Sequence, residues 1–327
     1  MRRESRLANP QLGIVAIGHN EGERLQRCLR SLPAGASVVY VDSGSTDGSV
    51  EFAREIGATV VELDLSRPFT AARARNEGLS CLRRRSPQSK YVQFLDGDCE
   101  LEKDWLDGAL AYLEGNPDVA VACGRRRERF KTASLYNAWM DDEWNTPVGP
   151  AAACGGDALM RISAIGEVGG YDDSIVAGEE PELCGRLRNA GWKLYRLDLP
   201  MSVHDANMHR FGQWWRRAVR SGYGYAQVRC KTQSYRSGAL YTRELVRAFA
   251  WSFGVAVAAV VLALLFSPIG LLFAIAVWGV QFLRLSRRHG ARKAVHFMLG
   301  KWAEAFGAMR YAAAALLKRE KGAILYK

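Results

Sequence analysis

The sequence predicts an α/β protein built on a parallel sheet, with an uncharged helical hairpin near its C-terminal end. Three observations carry this prediction. Apolar runs of strand length alternate with helix-period segments from Leu12 to Gly124. Polar turn residues follow those runs. The stretch from Ala248 to Leu283 holds no charged residue.

The elements follow in order. "LGIVAIG" (Leu12–Gly18) is a continuous apolar run and reads as a buried strand. "EGERLQRCLRSL" (Glu21–Leu32) places Leu25, Cys28, Leu29 and Leu32 on one helical face. "SVVYVD" (Ser37–Asp42) is a second strand, and "DGSVEFAREIG" a helix closed by Gly57. "TVVEL" (Thr59–Leu63), "TAARARNEGLSCL" (Thr70–Leu82) and "YVQFL" (Tyr91–Leu95) read as strand, helix and strand. "KDWLDGALAYLEGNPDVAVACG" gives a further helix and strand. Repeated βαβ units imply a parallel sheet covered by helices on both faces, with ligands bound beyond the carboxyl ends of its strands. Three polar clusters fall there: Gly18-His19-Asn20-Glu21, "VDSGSTDGS" (Val41–Ser49) and Asp96-Gly97-Asp98.

The net charge of +11 suggests nucleic acid until its distribution is read. Residues 1–204 hold 25 Lys/Arg against 30 Asp/Glu. Residues 205–247 hold nine basic and two acidic residues, and residues 282–327 eleven and two. The folded part is therefore acidic, which argues against a nucleic-acid partner. The basic segments bracket the uncharged one, the pattern an anionic membrane surface attracts. As one helix, Ala248–Leu283 would run to about 50 Å against a hydrocarbon core of about 30 Å. "SPIG" (Ser267–Gly270) supplies a break, so the segment reads as a hairpin that spans or dips. Arg243 and Arg247 precede it, and Arg284, Arg287 and Arg288 follow, which places both ends on the cytoplasmic side of an inner membrane. The seven cysteines are scattered and never in CxxC spacing, unlike a disulfide scaffold or zinc site. The N-terminal stretch "MRRESRLANPQLG" has charge but no apolar core, unlike a signal peptide.

Chemistry concentrates at "YVQFLDGDCE" (Tyr91–Glu100). Side chains two apart on an extended segment point to one side, and Gly97 allows a tight turn, so Asp96 and Asp98 are expected to face one point. Two close carboxylates need a cation, and oxygen ligands suit Mg²⁺ or Mn²⁺ holding a substrate's phosphates. A polar turn before the next helix is the plainer reading of a lone DxD.

The motif has company. GHNE, VDSGSTDGS, RNEG and DGDCE occur in that order, followed by "CGGDALMR" (Cys154–Arg161), "GEEPELCGRLRNAGW" (Gly178–Trp192), "SVHD" (Ser202–Asp205) and "QWWRRAVRSG" (Gln213–Gly222). Over roughly residues 12–225 this resembles the family 2 glycosyltransferases of GT-A fold, in a membrane-associated bacterial form. The resemblance implies a Rossmann-like nucleotide-sugar-binding domain and inversion in a single displacement. It places Asp42 on the donor base, with Asn20 and Glu21 beside base or ribose. Arg75, with Arg73 as rival, falls near base or phosphate. Asp98 becomes the direct metal ligand, Asp96 a metal or ribose contact, and His204 a further metal ligand. Asp157 is implied to bond a sugar hydroxyl. Family members commonly carry Glu-Asp where this chain has Glu179-Glu180; carried over, Glu180 is the general base, with Glu179 the alternative. Glu182 is expected to face solvent. Gln213, Trp215, Arg216 and Arg217 resemble a diphosphate or acceptor region, but QWWRR is not the processive QxxRW. A membrane surface is the competing role for this basic, aromatic segment.

The expected organisation is a GT-A domain over residues 1–205, basic interface helices over 206–247, the hairpin over 248–283 and an amphipathic tail over 284–327. In the tail, Phe297, Trp302, Phe306, Met309 and Leu316 stand among basic residues. A membrane-tethered hexosyltransferase implies a lipid-linked polyprenyl acceptor, in surface polysaccharide or glycolipid synthesis. The alternatives are a polyprenyl-phosphate glycosyltransferase, which needs no base, and a non-catalytic nucleotide-sugar sensor. A nucleotidyltransferase is disfavoured, because GHNEGERL poorly matches a glycine-rich phosphate loop.

Overall fold

A computed structural model describes residues 9–235 and 238–317. Residues 9–210 with Tyr235 form one compact unit, and residues 211–234 with 238–317 form a second.

The first unit begins as the periodicity predicts: β1 (Leu12–Gly18), α1 (Glu23–Arg30), β2 (Ser37–Asp42), α2 (Ser49–Glu55), β3 (Thr59–Glu62), α3 (Ala71–Arg85) and β4 (Tyr91–Asp96). It continues with β5 (Cys99–Leu101), α4 (Trp105–Gly115), β6 (Val119–Glu128), α5 (Leu135–Glu143) and β7 (Gly149–Pro150). β8 (Ala158–Arg161), α6 (Ile162–Glu167), α7 (Glu179–Asn189) and β9 (Lys193–His204) complete it. Among the described residues nine strands form one sheet, ordered β3-β2-β1-β4-β8-β6-β9-β5, with β7 on β9.

The sheet is mixed, not wholly parallel. β1 to β4 are mutually parallel, but β8 runs antiparallel to both β4 and β6, and β5 antiparallel to β9. β5 and β8 are three and four residues long, too short for a period to show. β6 also continues past Gly124 to Glu128, because its polar end pairs with β9 through Glu128 and His204.

Strand alternation assigns the helices to opposite faces. Tyr40 and Ala16 pack with Leu25 and Leu29 of α1 and Ala53 of α2. Val15 and Val41 meet α3, where a Cβ on Gly78 would lie 2.4 Å from Val15 and 2.9 Å from Val41. Helix α3 starts at Thr70, whose Oγ1 accepts the Arg73 N–H at 3.1 Å and donates to the Asp173 carbonyl at 2.7 Å. Thr70→Ala is expected to cost about 1 kcal/mol from the lost cap, read by thermal unfolding, with Thr70→Ser nearly neutral.

The second unit is helical: α8 (Phe211–Lys231), α9 (Thr242–Phe249), a π-helical turn at Ala250–Gly254, α10 (Val255–Leu265), a 3₁₀ turn at Pro268–Leu271, α11 (Leu272–His289) and α12 (Ala291–Leu316). The chain breaks at SPIG, where Ser267 Oγ accepts the Ile269 N–H at 3.3 Å. Helices α8 and α12 cross through glycines: a Cβ on Gly222 would stand 1.9 Å from the Glu304 carbonyl, and one on Gly307 2.0 Å from that of Val219. The tail's small residues, Ala303, Ala305 and Ala308 among them, are therefore the buried ones, while Phe306 and Leu316 stay exposed. The end of the expected tail, residues 318–327, lies outside the described residues, as do 236–237.

Candidate active site

Strand register brings the polar strand ends together. Gly18 pairs with Asp42, and Ile17 with Asp96, so β1, β2 and β4 end level. Beyond them lie the crevice loops.

The mouth of β1 is tied to the loop after β2. Asn20 Oδ1 accepts the Thr46 N–H at 2.8 Å, and its own N–H donates to Ser45 Oγ at 2.8 Å. Glu21 pairs with Arg24 at 2.8 Å. Asp42 is 2% exposed. One of its oxygens accepts the Gly44 and Ser45 N–H groups, both at 2.8 Å, and the other the Tyr40 hydroxyl at 2.9 Å. Asp42 therefore shapes this turn from within. Asp47 Oδ1 accepts the Ser49 N–H at 3.1 Å as α2 opens.

Asp96 and Asp98 take different side-chain partners. No group of three potential metal ligands among the described residues contains both. Two arginines claim Asp96: Arg75 Nη2 at 2.8 Å and Arg126 Nη2 at 3.0 Å. Burial opposes the charge on Asp96, but the two guanidinium groups outweigh it and hold the carboxyl below its usual range. Arg75 also binds Glu179 at 2.7 Å, giving a chain Asp96–Arg75–Glu179 from β4 to the mouth of α7. The rival Arg73 is buried and donates to the Arg67 carbonyl at 3.2 Å.

Asp98 turns instead to His204, with Oδ2 and Nε2 3.3 Å apart. The other ring nitrogen of His204 faces Glu128 at 3.5 Å, and Trp144 packs edge-on against the ring at 4.7 Å. Burial works against protonation of His204, yet Asp98 and Glu128 raise its pKa above the ordinary histidine value. Asp157 has no free edge for a sugar. It is 1% exposed and accepts from Arg126 Nε at 3.0 Å, Ser202 Oγ at 2.7 Å and the Asp96 N–H at 3.0 Å. The expected sugar contact is thus replaced by a structural one: Asp157 holds Arg126 and the end of β4. The loop before it lies against the ion pair, where a Cβ on Gly156 would stand 2.6 Å from Asp96 Oδ2 and 2.9 Å from Arg75 Nη2.

Glu180 opens α7 beside Glu179, after Gly178 in the left-handed region (φ 87°). Its Oε1 accepts the Cys154 N–H at 2.6 Å and the thiols of Cys154 at 2.9 Å and Cys184 at 2.8 Å. Burial raises its pKa, and these donors only partly offset the rise. Glu180 is 5% exposed, and a carboxyl shifted up by burial at a helix start has the profile of a general base. Glu182 does not face solvent. It is 4% exposed and makes a bidentate pair with Arg186, at 2.7 and 2.6 Å, one helical turn on. The i,i+4 spacing in "PELCGR" carries that signal.

Sequence reading missed Arg126, Glu128 and Trp144. The first two alternate on β6 within "GRRRERF", so a strand continued past Gly124 would have aimed both to one side. Trp144 follows α5 and leaves no local signal. Gln213, Trp215, Arg216 and Arg217 stand in the first turns of α8, in the second unit.

Residues 14–152 match the family model "Glycosyl transferase family 2". The succinoglycan biosynthesis protein ExoA of Rhizobium meliloti is 29% identical over 235 residues, which is 67% of this chain and 68% of that one. An N-acetylglucosaminyl-diphospho-decaprenol L-rhamnosyltransferase of Mycobacterium tuberculosis is 27% identical over 55% of this chain and 71% of its own. In fold, the chain is similar to the solved mannosyltransferase PcManGT of Pyrobaculum calidifontis, with a TM-score of 0.63 at 17% identity over 91% and 87% of the two chains. The motif order, the mixed sheet and these likenesses agree: residues 14–152 carry the match to family 2 glycosyltransferases, and the fold is GT-A-like.

Proposed function

We propose that the first unit transfers a sugar, with inversion, from a nucleotide-sugar donor to a hydroxyl of a lipid-linked polyprenyl acceptor. UDP-sugars are the favoured donors, and the cytoplasmic face of the inner membrane is the place. One observation carries the proposal: the Asp98–His204 pair accompanies an Asp96–Arg75–Glu179 chain, centred on the buried Arg75, that ends next to Glu180.

The pair fits a divalent ion. A carboxylate oxygen and an imidazole nitrogen lie 3.3 Å apart, and the far side of the imidazole faces a carboxylate, the usual outer support of a metal-bound histidine. A carboxylate with an imidazole suits Mn²⁺, while Mg²⁺ would rely on the carboxylate and waters; the solved PcManGT complex holds GDP-Man and Mn²⁺. Asp98 and His204 would hold the ion, which when bound supplies charge neutralisation for a leaving nucleoside diphosphate. The chain's own groups do the rest. Arg75 and Arg126 keep Asp96 ionised and fixed. Gly156 lets the 154–157 loop approach that ion pair closely. Glu180, held by Cys154 and Cys184, takes the proton of the attacking hydroxyl.

The acceptor and place rest on the second unit. Thr242–Leu265 and Pro268–His289 are each long and apolar enough to cross a membrane. Many of their large side chains are exposed, Leu264 at 81% and Ile269 at 71% among them. Arginines flank the hairpin at both bases, which orients it with its ends in the cytoplasm. The decaprenol-linked substrate in the rhamnosyltransferase's name is of the same acceptor class.

The test is nucleoside diphosphate release by detergent-solubilised protein from UDP-, GDP- and dTDP-sugars, with lipid extract and Mn²⁺ or Mg²⁺. One donor is expected to turn over, with release falling at least tenfold in Asp98→Asn or with chelator. Donor binding without metal-dependent release would favour a sensor and refute the transferase mechanism.

A further inference from the structure

The second unit contains a cleft of about 610 Å³ to which none of the candidate site residues named above contributes. Its walls are mostly apolar, and Trp251, Trp278 and Trp302 stand among them. Trp278 Nε1 donates to the Trp251 carbonyl at 3.0 Å, and the rings of Trp278 and Trp302 lie 6.2 Å apart. Trp251 belongs to the π-helical turn at Ala250–Gly254. Such turns recur at functional sites, because the looser ladder frees a backbone group for another partner.

Arg247, Arg284 and Arg288 line the same cleft. Arg284 and Arg288 are one helical turn apart on α11 and share a face. Arg247 ends α9, at the base of the other apolar helix. All three side chains are exposed, and none makes an ion pair with a carboxylate among the described residues. Lys301, also in the wall, is engaged by Glu304 at 2.7 Å. Three guanidinium groups around one apolar cleft leave a concentrated positive charge with no paired carboxylate among the described residues.

We infer that this cleft binds one membrane phospholipid with an anionic head. The arginines take the phosphate, for which the planar guanidinium fork is suited. The apolar walls take the start of the chain, and tryptophans at this level match the membrane–water interface. A soluble anion would gain nothing from the apolar walls, and a zwitterionic lipid sets its own ammonium against the three arginines. The inference rests on the membrane placement of the hairpin.

The test uses the full chain in mixed micelles with phospholipids brominated on the acyl chains, which quench tryptophan fluorescence on contact. Brominated phosphatidylglycerol is expected to quench at a mole fraction at least tenfold lower than brominated phosphatidylcholine. Arg284→Gln/Arg288→Gln should abolish that difference, and Arg284→Lys/Arg288→Lys should keep most of it. Inorganic phosphate at millimolar concentration should not displace the lipid. Equal quenching by the two lipids in the wild-type chain would overturn the inference while leaving the hairpin in lipid. Displacement by phosphate, or a full preference surviving in the glutamine variant, would overturn it too. No quenching by either lipid would refute the membrane placement itself.

Discussion

Glu180→Gln is expected to lower kcat by about 10²–10⁴-fold, the usual contribution of a positioned base, with donor affinity nearly unchanged. The glutamine carbonyl oxygen can still accept the Cys154 N–H and the two thiols that hold Glu180 Oε1, so the loop keeps its anchor. What is lost is the proton acceptor. The sign of the pH dependence follows from the raised pKa. A base works when deprotonated, so activity rises with pH through the Glu180 pKa, and burial places that rise above the ordinary glutamate range. Cys154→Ala/Cys184→Ala removes two donors that stabilise the carboxylate, and moves the rise to higher pH. Glu179→Gln is the informative comparison. It removes the charge from the 2.7 Å pair with Arg75, leaving a neutral hydrogen bond and a weaker hold on Asp96, so it should weaken donor binding and metal response more than the proton step. Should Glu179→Gln remove the acid limb while Glu180→Gln keeps it, the base is Glu179. Full activity in both variants would point to a phosphate acceptor, which needs no base.

Arg126→Met is expected to be the most destabilising single change near the site, by about 3–5 kcal/mol, because it strands a buried charge. The guanidinium contacts Asp96 at 3.0 Å and Asp157 at 2.9 Å, and lies 5.2 Å over the Trp144 ring. The Asp157 side chain is fully buried. Without Arg126 its carboxylate keeps only Ser202 Oγ and the Asp96 N–H. For a unit of about 200 residues this corresponds to a loss of about 6–20 °C in Tm. Asp157→Asn in the Arg126→Met background should restore much of the loss, since an amide there needs no counter-charge. A Tm drop under about 2 °C, with no rescue by the second change, would show that the cluster does not hold the end of β4.

These two expectations had unequal roots in the sequence. Glu180 was legible because a helix start, a proline in its first turn and an acidic pair coincide with a motif. Arg126 was not, because three consecutive arginines after a glycine look like a solvated loop until β9 pairs with them. The same contrast runs through the site. Asp98 and His204 were both named from local motifs, and the structure brings them to 3.3 Å across the β5–β9 pairing. Asp96, Asp42, Asp157 and Glu182 were named or placed by the same motifs, yet their partners differ from the expected ones. Each finds a nearer donor: two arginines, a turn backbone, Arg126, and Arg186.

The sequence by itself determined what is periodic or compositional: the strands and helices up to Asp96, the level strand ends, and the uncharged hairpin with its arginine flanks. Those features depend on residues within a few positions of one another. The tertiary structure alone decided which carboxylate meets which cation, that β8 enters the sheet reversed, and that small residues, not large ones, bury the last helix. Apart from the i,i+4 pair of Glu182 and Arg186, such choices are made between residues far apart in the chain, as with Arg75 and Glu179 or Asp98 and His204, where no local period records the partner.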